Sequence, residues 1–227
     1  GTTADGTIFN ADPNPSEPAT GTGVFQPFVR IESLGNSTSP GDMQNGYNTD
    51  VTPPNTNYDT KGGSDWTRSI TLGEGGVVTV GGIEYYQFLL DANEEGRADS
   101  LANKIVLTDV QIYLSDNPLF ATPELGAGYT GTIFDSTDNS FLGEAPDWTL
   151  DSVINGDVNV ILQASICDTP GQCGSGHGDL EMLIEKADLV GDPDDILVFY
   201  TEYDMASNPS GGFEEWSTRS STTPIPE

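Results

Sequence analysis

The amino-acid sequence predicts an all-β fold: a two-sheet, jelly-roll-like β-sandwich of about ten strands with long surface loops. Short segments in which apolar and polar residues alternate recur along the chain, as in strands with one buried face. Clusters drawn from 27 Gly, 15 Pro and many Asn and Asp residues separate these segments, as turns do. Aromatic residues make up 9% of the chain and many lie inside the alternating segments, which is not typical of a disordered protein.

Three segments carry the alternating pattern most clearly: residues 24–33, 66–72 and 158–166. Each is predicted to be a strand with one face in the core. Because Pro27 has no backbone N–H to donate, the first of them is expected to be an edge strand or to contain a bulge. The residues expected to face inward are Phe25, Val29 and Ile31, then Trp66, Ile70 and Leu72, then Val158, Val160, Leu162, Ala164 and Ile166.

Residues 83–90 and 196–200 are apolar on both faces, which predicts central strands that are covered on both sides. Gly81 and Gly82 precede Ile83 and predict a tight hairpin, because glycine readily adopts positive φ. Further strands are expected at residues 7–10, 77–80, 105–107, 110–114, 131–135, 180–184 and 213–216. The one helix-like stretch is 98–104.

Composition divides the chain into three parts. Residues 1–22 comprise a short N-terminal strand and a Pro-rich tether, residues 23–216 form the sandwich domain, and residues 217–227 form a C-terminal tail. The tether is expected to separate the first strand from the sandwich. Residues 36–63 are polar and rich in Gly, Asn and Pro, which predicts a long surface loop.

The charge is strongly negative, with 36 acidic and seven basic residues giving a net charge of −29. Such a surface repels nucleic acid and anionic membranes and attracts cations. Adaptation to salt, bound calcium and solubility outside the cell would each produce it. No apolar run approaches the roughly 18 residues of a membrane span. A start at Gly1 without a leader is expected of a processed, exported chain, and equally of a trimmed one.

Cys167 and Cys173 flank a short loop that contains a Pro-Gly turn. In an oxidising compartment they are expected to form a disulfide that pins this loop and contributes about 2–3 kcal/mol. A zinc site is not expected, because two cysteines without a second pair do not supply its ligands.

A calcium site is predicted directly after the strand at residues 85–90. Asp91, Asn93 and Glu94, with Asp99 close behind, offer the carboxylate and amide oxygens that calcium prefers. The spacing is not that of an EF-hand, and turn-forming Asp and Asn with a solvated Glu is the alternative interpretation. The acidic turn at residues 192–195 is a weaker candidate.

No catalytic residues are predicted, and the protein is expected not to be an enzyme. His177, the one histidine, lies with Ser175 and Asp179 in a single Gly-rich loop, whereas triad members come from separated parts of a chain. Paired carboxylates for glycoside hydrolysis stay open, but 36 acidic residues single out no pair. Aromatic residues that are candidates for a sugar platform are Tyr47, Tyr58, Trp66, Tyr129, Trp148 and Trp216.

A series of motifs runs in order through the chain: GVFQPFVRI at 23–31, NGYNTD at 45–50, WT at 66–67, YQFLLDANE at 86–94, VQIY at 110–113, GSGHGD at 174–179 and GGFEEW at 211–216. Together they resemble a family of secreted bacterial proteins that carry a PEP-CTERM sorting signal. The end of the chain, SSTTPIPE at 220–227, is similar to the approach to the Pro-Glu-Pro motif of that signal, without its apolar helix and basic cluster. The resemblance implies export, removal of the signal, and a role in a surface layer, biofilm or extracellular matrix. It implies no catalytic residues.

The expected function is that of a secreted structural protein of the bacterial extracellular matrix or surface. Thr7, Ile8, Phe9 and Asn10 form a short strand on a Pro-rich tether, and such a strand can add to the sheet edge of a neighbouring copy. Repeated head to tail, this contact gives a homo-oligomer or filament. The strand can equally pair within its own chain. The alternative function is a surface module that binds extracellular polysaccharide.

Overall fold

A computed structural model describes residues 1–11, 27–32, 43–51, 58–62, 66–92, 104–123, 133–135, 140–163, 179–204 and 213–218. These residues form β-strands and two short 3-10 turns, and no α-helix occurs among them. The strands in chain order are β1 (Ile8–Ala11), β2 (Pro27–Ile31), β3 (Met43–Tyr47), β4 (Ile70–Thr71), β5 (Gly76–Val80), β6 (Ile83–Ala92), β7 (Lys104–Ser115), β8 (Phe134–Asp135), β9 (Ser140–Phe141), β10 (Trp148–Thr149), β11 (Val160–Gln163), β12 (Leu180–Glu185), β13 (Ile196–Asp204) and β14 (Glu214–Thr218).

The strands form two antiparallel six-stranded sheets and one small hairpin. Sheet A has the order β1-β12-β6-β14-β2, and β5 pairs with β6 on the same side as β14. Sheet B has the order β10-β7-β13-β3, with β11 paired to β7 and β4 paired to β13. The hairpin consists of β8 and β9. The predicted all-β sandwich is therefore confirmed.

The main core lies between the inner faces of the two sheets. Phe199 of sheet B contacts Phe28 and Trp216 of sheet A, with ring centroids 5.5 and 4.9 Å apart, and all three side chains are buried. Val29 and Ile31 face this core as the alternating pattern predicted, and so does Leu162. Because large aromatic side chains bury much apolar area, this cluster accounts for much of the hydrophobic stabilisation of the sandwich.

A second apolar cluster covers the outer face of sheet B. Its buried members are Tyr47, Tyr113, Phe120, Phe141, Val198 and Tyr200. Phe120 and Phe141 come from the segments between β7 and β10, and their ring centroids are 5.4 Å apart. β13 is consequently covered on both faces, which confirms the prediction that residues 196–200 are a central strand. β6, flanked by β12 and β14, is central in sheet A.

One loop prediction and two strand predictions were wrong. Residues 36–63, predicted to be a surface loop, contain β3, which pairs with β13 and in which Tyr47 is buried. Residues 66–72 contain only the two-residue strand β4, and Trp66 is 43% exposed rather than inward-facing. Its indole stacks on the guanidinium of Arg30 instead, with 4.7 Å between the carbon of that group and the ring centroid. The two strands expected at 105–107 and 110–114 are one strand, β7. A bulge at Thr108 shifts its register against β13, which explains the break in alternation.

The local turn predictions hold where the structure describes them. Gly81 and Gly82 have φ of 62° and 91° and connect β5 to β6, as the Gly-Gly hairpin signal indicated. Pro27 begins β2, the last strand of sheet A, and the register of β2 against β14 shifts at Phe28, so β2 contains a bulge. The helix-like stretch at 98–104 lies outside the described residues except for Lys104, which begins β7.

Candidate functional site: the sheet edge at β1 and β12

The predicted assembly strand pairs within its own chain in this structure. β1 runs antiparallel to β12, with Ile8 opposite Leu183 and Ala11 opposite Leu180. β12 pairs on its other side with β6, so β1 is the first strand of sheet A. The sequence allowed this strand to pair either within its own chain or with a neighbouring copy. In the structure of the single chain, it pairs within the chain.

β1 is held by side chains on both faces of the sheet. Phe9 points into the main core and is 7% exposed, and Thr7 just before the strand is buried. On the outer face, Asn10 lies directly opposite Glu181 and donates a hydrogen bond from Nδ2 to Oε2 (2.6 Å). Gln87 of β6 donates to the other oxygen of the same carboxylate. The carboxylate of Glu181 on β12 therefore connects β1 to β6.

The residues before β1 fold back on it as a small hairpin. Thr3 N–H donates to the Thr7 carbonyl (2.9 Å), and Phe9 N–H donates to the Gly1 carbonyl (2.8 Å). Asp5 sits in the turn and accepts hydrogen bonds at Oδ1 from Thr3 Oγ1 (2.5 Å) and Thr7 N–H (3.0 Å). Residues 1–11 thus form one structural unit, which we call the N-terminal hairpin.

A loop of sheet B holds the turn of the N-terminal hairpin. Asp5 N–H donates to Asn155 Oδ1 (3.0 Å), and Asn155 Nδ2 donates to Asp5 Oδ2 (2.9 Å). Burial alone would raise the pKa of Asp5, but hydrogen bonds from Thr3, Thr7 and Asn155 outweigh it, and the pKa is lowered. Sequence analysis missed both residues, because nothing in the chain links positions 150 residues apart.

β1 and β2 run in the same direction, although they belong to one antiparallel sheet, because three strands separate them. Their facing ends, Ala11 and Pro27, lie at the levels of Leu90 and Leu89 of β6. Four strand spacings of about 4.8 Å place them about 19 Å apart. The connection comprises residues 12–26, which can extend to about 50 Å. We name the two ends of the sandwich the Gly6 end, where β1 begins, and the Ala11 end, where it leaves the sheet.

Only one residue of the predicted calcium site is described. Asp91, near the end of β6, is 2% exposed and lies opposite Glu215 of β14. Asn93, Glu94 and Asp99 lie outside the described residues. In the part of the chain that the structure describes, no three His, Cys, Asp or Glu side chains are arranged to hold a metal ion.

Carboxylates nevertheless gather around Asp91 at the Ala11 end of sheet A. Burial and the nearby Asp91 raise the pKa of Asp179 to about 7, against a hydrogen bond from Ala92 N–H. Burial and Asp91 also raise the pKa of Glu215, while Arg30 lowers it. Arg30 lies opposite Glu215, with 4.0 Å between the charged groups.

The other candidate residues divide between core, surface and undescribed segments. Tyr47, Trp148 and Trp216 are buried in the two apolar clusters, so these three candidates are not available to a sugar platform. Trp66 is exposed, and Tyr58 is half-buried against Tyr47. Lying outside the described residues are Tyr129, the cysteines Cys167 and Cys173 of the predicted disulfide, and the loop residues Ser175 and His177.

The fold and this edge define the chain as an all-β sandwich whose first strand is an edge strand on a long connection. No model of a protein family, no curated protein and no solved structure matches it. Among the described residues there is no helix of the length and apolar character needed to cross a bilayer.

Proposed function

We propose that this protein is a secreted structural subunit of the bacterial extracellular matrix or surface. In the proposed assembly, the N-terminal hairpin of one copy pairs with β12 of the next copy. The observation that carries the proposal is the position of β1: a peripheral strand that fills an edge of sheet A from the end of a 15-residue connection. Without β1, the edge of β12 would offer unpaired backbone groups to another strand.

Exchange between copies would preserve the contacts that hold the hairpin. Three kinds of contact join the hairpin to the body of the chain. They are the backbone pairing of β1 with β12, the packing of Phe9 in the main core, and the side-chain hydrogen bonds of Asn10 and Asp5. A neighbour's hairpin can make the same contacts in the same positions. The exchanged and unexchanged states therefore differ in two respects only, as in domain swapping: the path of residues 12–26, and any additional contact between the two sandwiches.

The direction of the strands is compatible with an open chain of copies. Within one molecule, the connection leaves β1 at the Ala11 end and must turn back to enter β2, which runs toward that same end. Between copies stacked in one orientation, it continues forward from the Ala11 end of one sandwich to the Gly6 end of the next. Since this contact joins two different surfaces, its repetition produces a filament unless the rotation between copies closes a ring.

The length of the connection is compatible with this arrangement. From the level of Ile83 to that of Leu89, six residues of strand span about 20 Å along the donor sheet. Combined with a lateral offset of about 19 Å and a gap between the bodies, the path is roughly 35 Å. This is shorter than the reach of about 50 Å that residues 12–26 provide.

Export and the net charge of −29 fit the same function. The resemblance to secreted proteins with a PEP-CTERM signal supports a location outside the cell. Stacked copies of so acidic a chain repel one another, so salt or calcium is expected to favour assembly. The carboxylates around Asp91 and the undescribed Asn93, Glu94 and Asp99 are the proposed calcium ligands.

An engineered disulfide tests strand exchange directly. Asn10 and Glu181 face each other across β1 and β12, so the double variant Asn10→Cys/Glu181→Cys joins whichever chains pair there. After assembly and mild oxidation, we expect a ladder of covalent oligomers on a non-reducing gel. The matched control is Thr79→Cys/Glu84→Cys, which bridges β5 and β6 within one hairpin and should stay monomeric.

The result that contradicts the proposal is clear. If the Asn10/Glu181 variant forms the usual assemblies but yields only cross-linked monomers, the strand stays in its own chain. Deleting residues 1–12 provides a second test by electron microscopy, because assemblies that persist unchanged without the hairpin do not depend on it.

A carbohydrate-binding surface module is the second candidate function, and Trp66 is the observation that favours it. Its exposed indole, stacked against Arg30 with Glu215 nearby, combines an aromatic surface with groups that hydrogen-bond hydroxyls. A glycan array would reveal binding that Trp66→Ala abolishes and Ile161→Ala, at another exposed apolar side chain, leaves unchanged.

A further inference from the structure

The loop that holds the N-terminal hairpin contains an Asn-Gly pair, Asn155-Gly156. Asparagine followed by glycine is prone to lose its side-chain amide, because glycine has no side chain to keep its backbone nitrogen away from the carboxamide carbon. Gly156 has φ of 70°, and no atom lies within 4 Å of a Cβ added to it, so the backbone is uncrowded at this position. The sequence contains one other Asn-Gly pair, Asn45-Gly46.

The reaction at this pair replaces an amide by a carboxylate. The backbone nitrogen of Gly156 loses its proton to solvent, attacks Cγ of Asn155 and expels the side-chain nitrogen as ammonia, which closes a succinimide ring. Water then opens the ring. Its attack at Cγ gives aspartate, and its attack at the backbone carbonyl carbon gives isoaspartate, in which the chain continues through the side chain. Water is the co-reactant, and it reaches this loop because Ile154 and Gly156 are exposed.

Hydrogen bonds hold both reacting groups in place while the hairpin is bound. Gly156 N–H donates to the Ser152 carbonyl (2.7 Å). The carboxamide of Asn155 accepts from Asp5 N–H (3.0 Å) and donates to Asp5 Oδ2 (2.9 Å) and to the Leu150 carbonyl (3.1 Å). Ring closure requires this carboxamide to turn onto the nitrogen of Gly156. Because the hairpin supplies two of the three bonds to the carboxamide, opening of the hairpin removes most of what prevents the reaction.

We infer that Asn155 is a deamidation site that the N-terminal hairpin protects, and that its deamidation loosens the hairpin. An aspartate at position 155 has no N–H to donate to Asp5 Oδ2 or to the Leu150 carbonyl. Hydrogen bonds lower the pKa of Asp5, so its side chain is a carboxylate at neutral pH. Two carboxylates at hydrogen-bonding distance repel each other. The change is irreversible, because the ammonia is lost to solvent.

This inference goes beyond the proposed function and does not depend on strand exchange. A hairpin from a neighbouring copy would meet Asn155 through the same Asp5 contacts as the chain's own hairpin. Deamidation therefore weakens the attachment of either one. In a monomer that never exchanges strands, the same reaction still proceeds and still loosens β1.

Asn45-Gly46 is a control with the same chemistry in the same chain. It lies within β3, where Asn45 is opposite Glu202 and Gly46 is opposite Thr201 of β13. Gly46 is buried, and a Cβ added to it would collide with the Thr60 side chain. None of these groups belongs to the N-terminal hairpin, so the rate at Asn45 reports on conditions and on overall stability.

The first test measures protection by the hairpin. The full chain, the Phe9→Ala variant and a chain lacking residues 1–12 are incubated in mildly alkaline buffer, and peptide mass spectrometry follows conversion of amide to acid at Asn155 and Asn45. We expect the rate at Asn155 to rise about tenfold or more in both altered chains, with little change at Asn45. If Asn155 is accelerated no more than Asn45, the hairpin does not protect it and the inference is wrong.

The second test measures the effect of the product. Asn155→Asp introduces the carboxylate, whereas Asn155→Ala removes the hydrogen bonds without adding charge. Hydrogen exchange should show the β1 amides about threefold or more less protected in Asn155→Asp than in Asn155→Ala, and added salt should narrow the difference by screening the repulsion. Equal or greater protection in Asn155→Asp would show that deamidation does not loosen the hairpin.

Discussion

Asp5 and Asn155, 150 residues apart in the sequence, hydrogen-bond to each other twice: backbone N–H to Oδ1 (3.0 Å) and Nδ2 to Oδ2 (2.9 Å). Asn155 also donates to the Leu150 carbonyl (3.1 Å), which fixes its side chain within its own loop. The N-terminal hairpin is therefore attached to sheet B as well as to β12. A hairpin bound at two sites is positioned in register even though it lies at the edge of the sheet.

Replacing Asn155 with Ala should loosen the N-terminal hairpin without unfolding the sandwich. The loss of these hydrogen bonds is expected to cost about 1 kcal/mol, since the groups left behind are only partly buried. Hydrogen exchange should show the protection of the β1 amides falling about fivefold while that of β13 is unchanged. Asn159→Ala, in the same loop, is the control, and equal effects of the two substitutions would contradict a specific role for Asn155.

Phe9→Ala should weaken the hairpin more strongly than any other single change in it. Removing a buried Phe side chain from a core costs about 3–5 kcal/mol, although an edge strand can relax and reduce this. Ile8, on the opposite face and only partly buried, is the matched comparison, and Ile8→Ala is expected to cost about 1 kcal/mol. Urea denaturation measures both. Similar values for the two would mean that Phe9 does not anchor the strand.

The period of two in the sequence predicted much of the sandwich, because each strand buries one face. Val29 and Ile31 are both fully buried, and the Gly81-Gly82 turn has the positive φ that its residues suggested. The pattern failed at Trp66, where a cation–π contact with Arg30 on another segment replaces burial. It failed again at Thr108, because a bulge changes the alternation without ending the strand.

Little of the candidate site could be predicted in the same way. The strand at residues 7–10 was visible because Ile8 and Phe9 lie between turn residues, but its partner depends on long-range pairing. The Asp5–Asn155 hydrogen bonds and the bond from Asn10 to Glu181 arise only once the strands are in register. Polar pairs of this kind leave no periodic trace in a single sequence.

Asn48 completes the edge of sheet B between β3 and β4, and its replacement should be costly. Its Oδ1 accepts from Phe199 N–H (2.7 Å) and its Nδ2 donates to the Leu197 carbonyl (2.8 Å). The side chain therefore makes the hydrogen bonds to β13 that the backbone of a neighbouring strand would otherwise make. Asn48→Ala leaves both buried groups without this partner and is expected to cost about 2–3 kcal/mol.

Asn48→Asp separates the two hydrogen bonds, because a carboxylate still accepts from Phe199 but cannot donate to Leu197. It should also destabilise the protein, in contrast to Asn45→Asp on the neighbouring strand, whose side chain is only half-buried. Thermal unfolding measures both variants. A neutral effect of Asn48→Asp would show that the bond to Leu197 contributes little.

Calcium should raise the melting temperature and promote assembly beyond the effect of ionic strength. Seven basic residues do not balance 36 acidic ones, so any salt reduces repulsion, but a bound divalent ion neutralises several carboxylates at once. CaCl2 is compared with NaCl at equal ionic strength, and chelator should reverse the difference. Asp91→Asn should reduce it. If both salts act equally, screening alone explains the effect and no specific site is needed.

Two aspartates should make the protein less stable as the pH rises toward neutrality. Burial, with Asp151 and Glu202 nearby, raises the pKa of Asp109 to about 7 despite a hydrogen bond from Gln111, and the pKa of Asp179 is likewise about 7. In the unfolded chain both titrate near 3.8, so between these values the folded state binds more protons. The free energy of unfolding therefore decreases as the pH rises from about 4 to 7 and levels off above that.

Between pH 5 and 8 we expect each of these groups to lower the free energy of unfolding by about 1–3 kcal/mol. Asp109→Asn keeps the shape of the side chain, abolishes its titration and should flatten the decline. Asp194→Asn removes an equal charge from an exposed turn and controls for the general relief of repulsion in so acidic a protein. Urea titrations at each pH measure the free energy of unfolding of both variants. If this free energy falls with pH equally steeply in the two variants, the pH dependence comes from the total charge and Asp109 makes no contribution of its own.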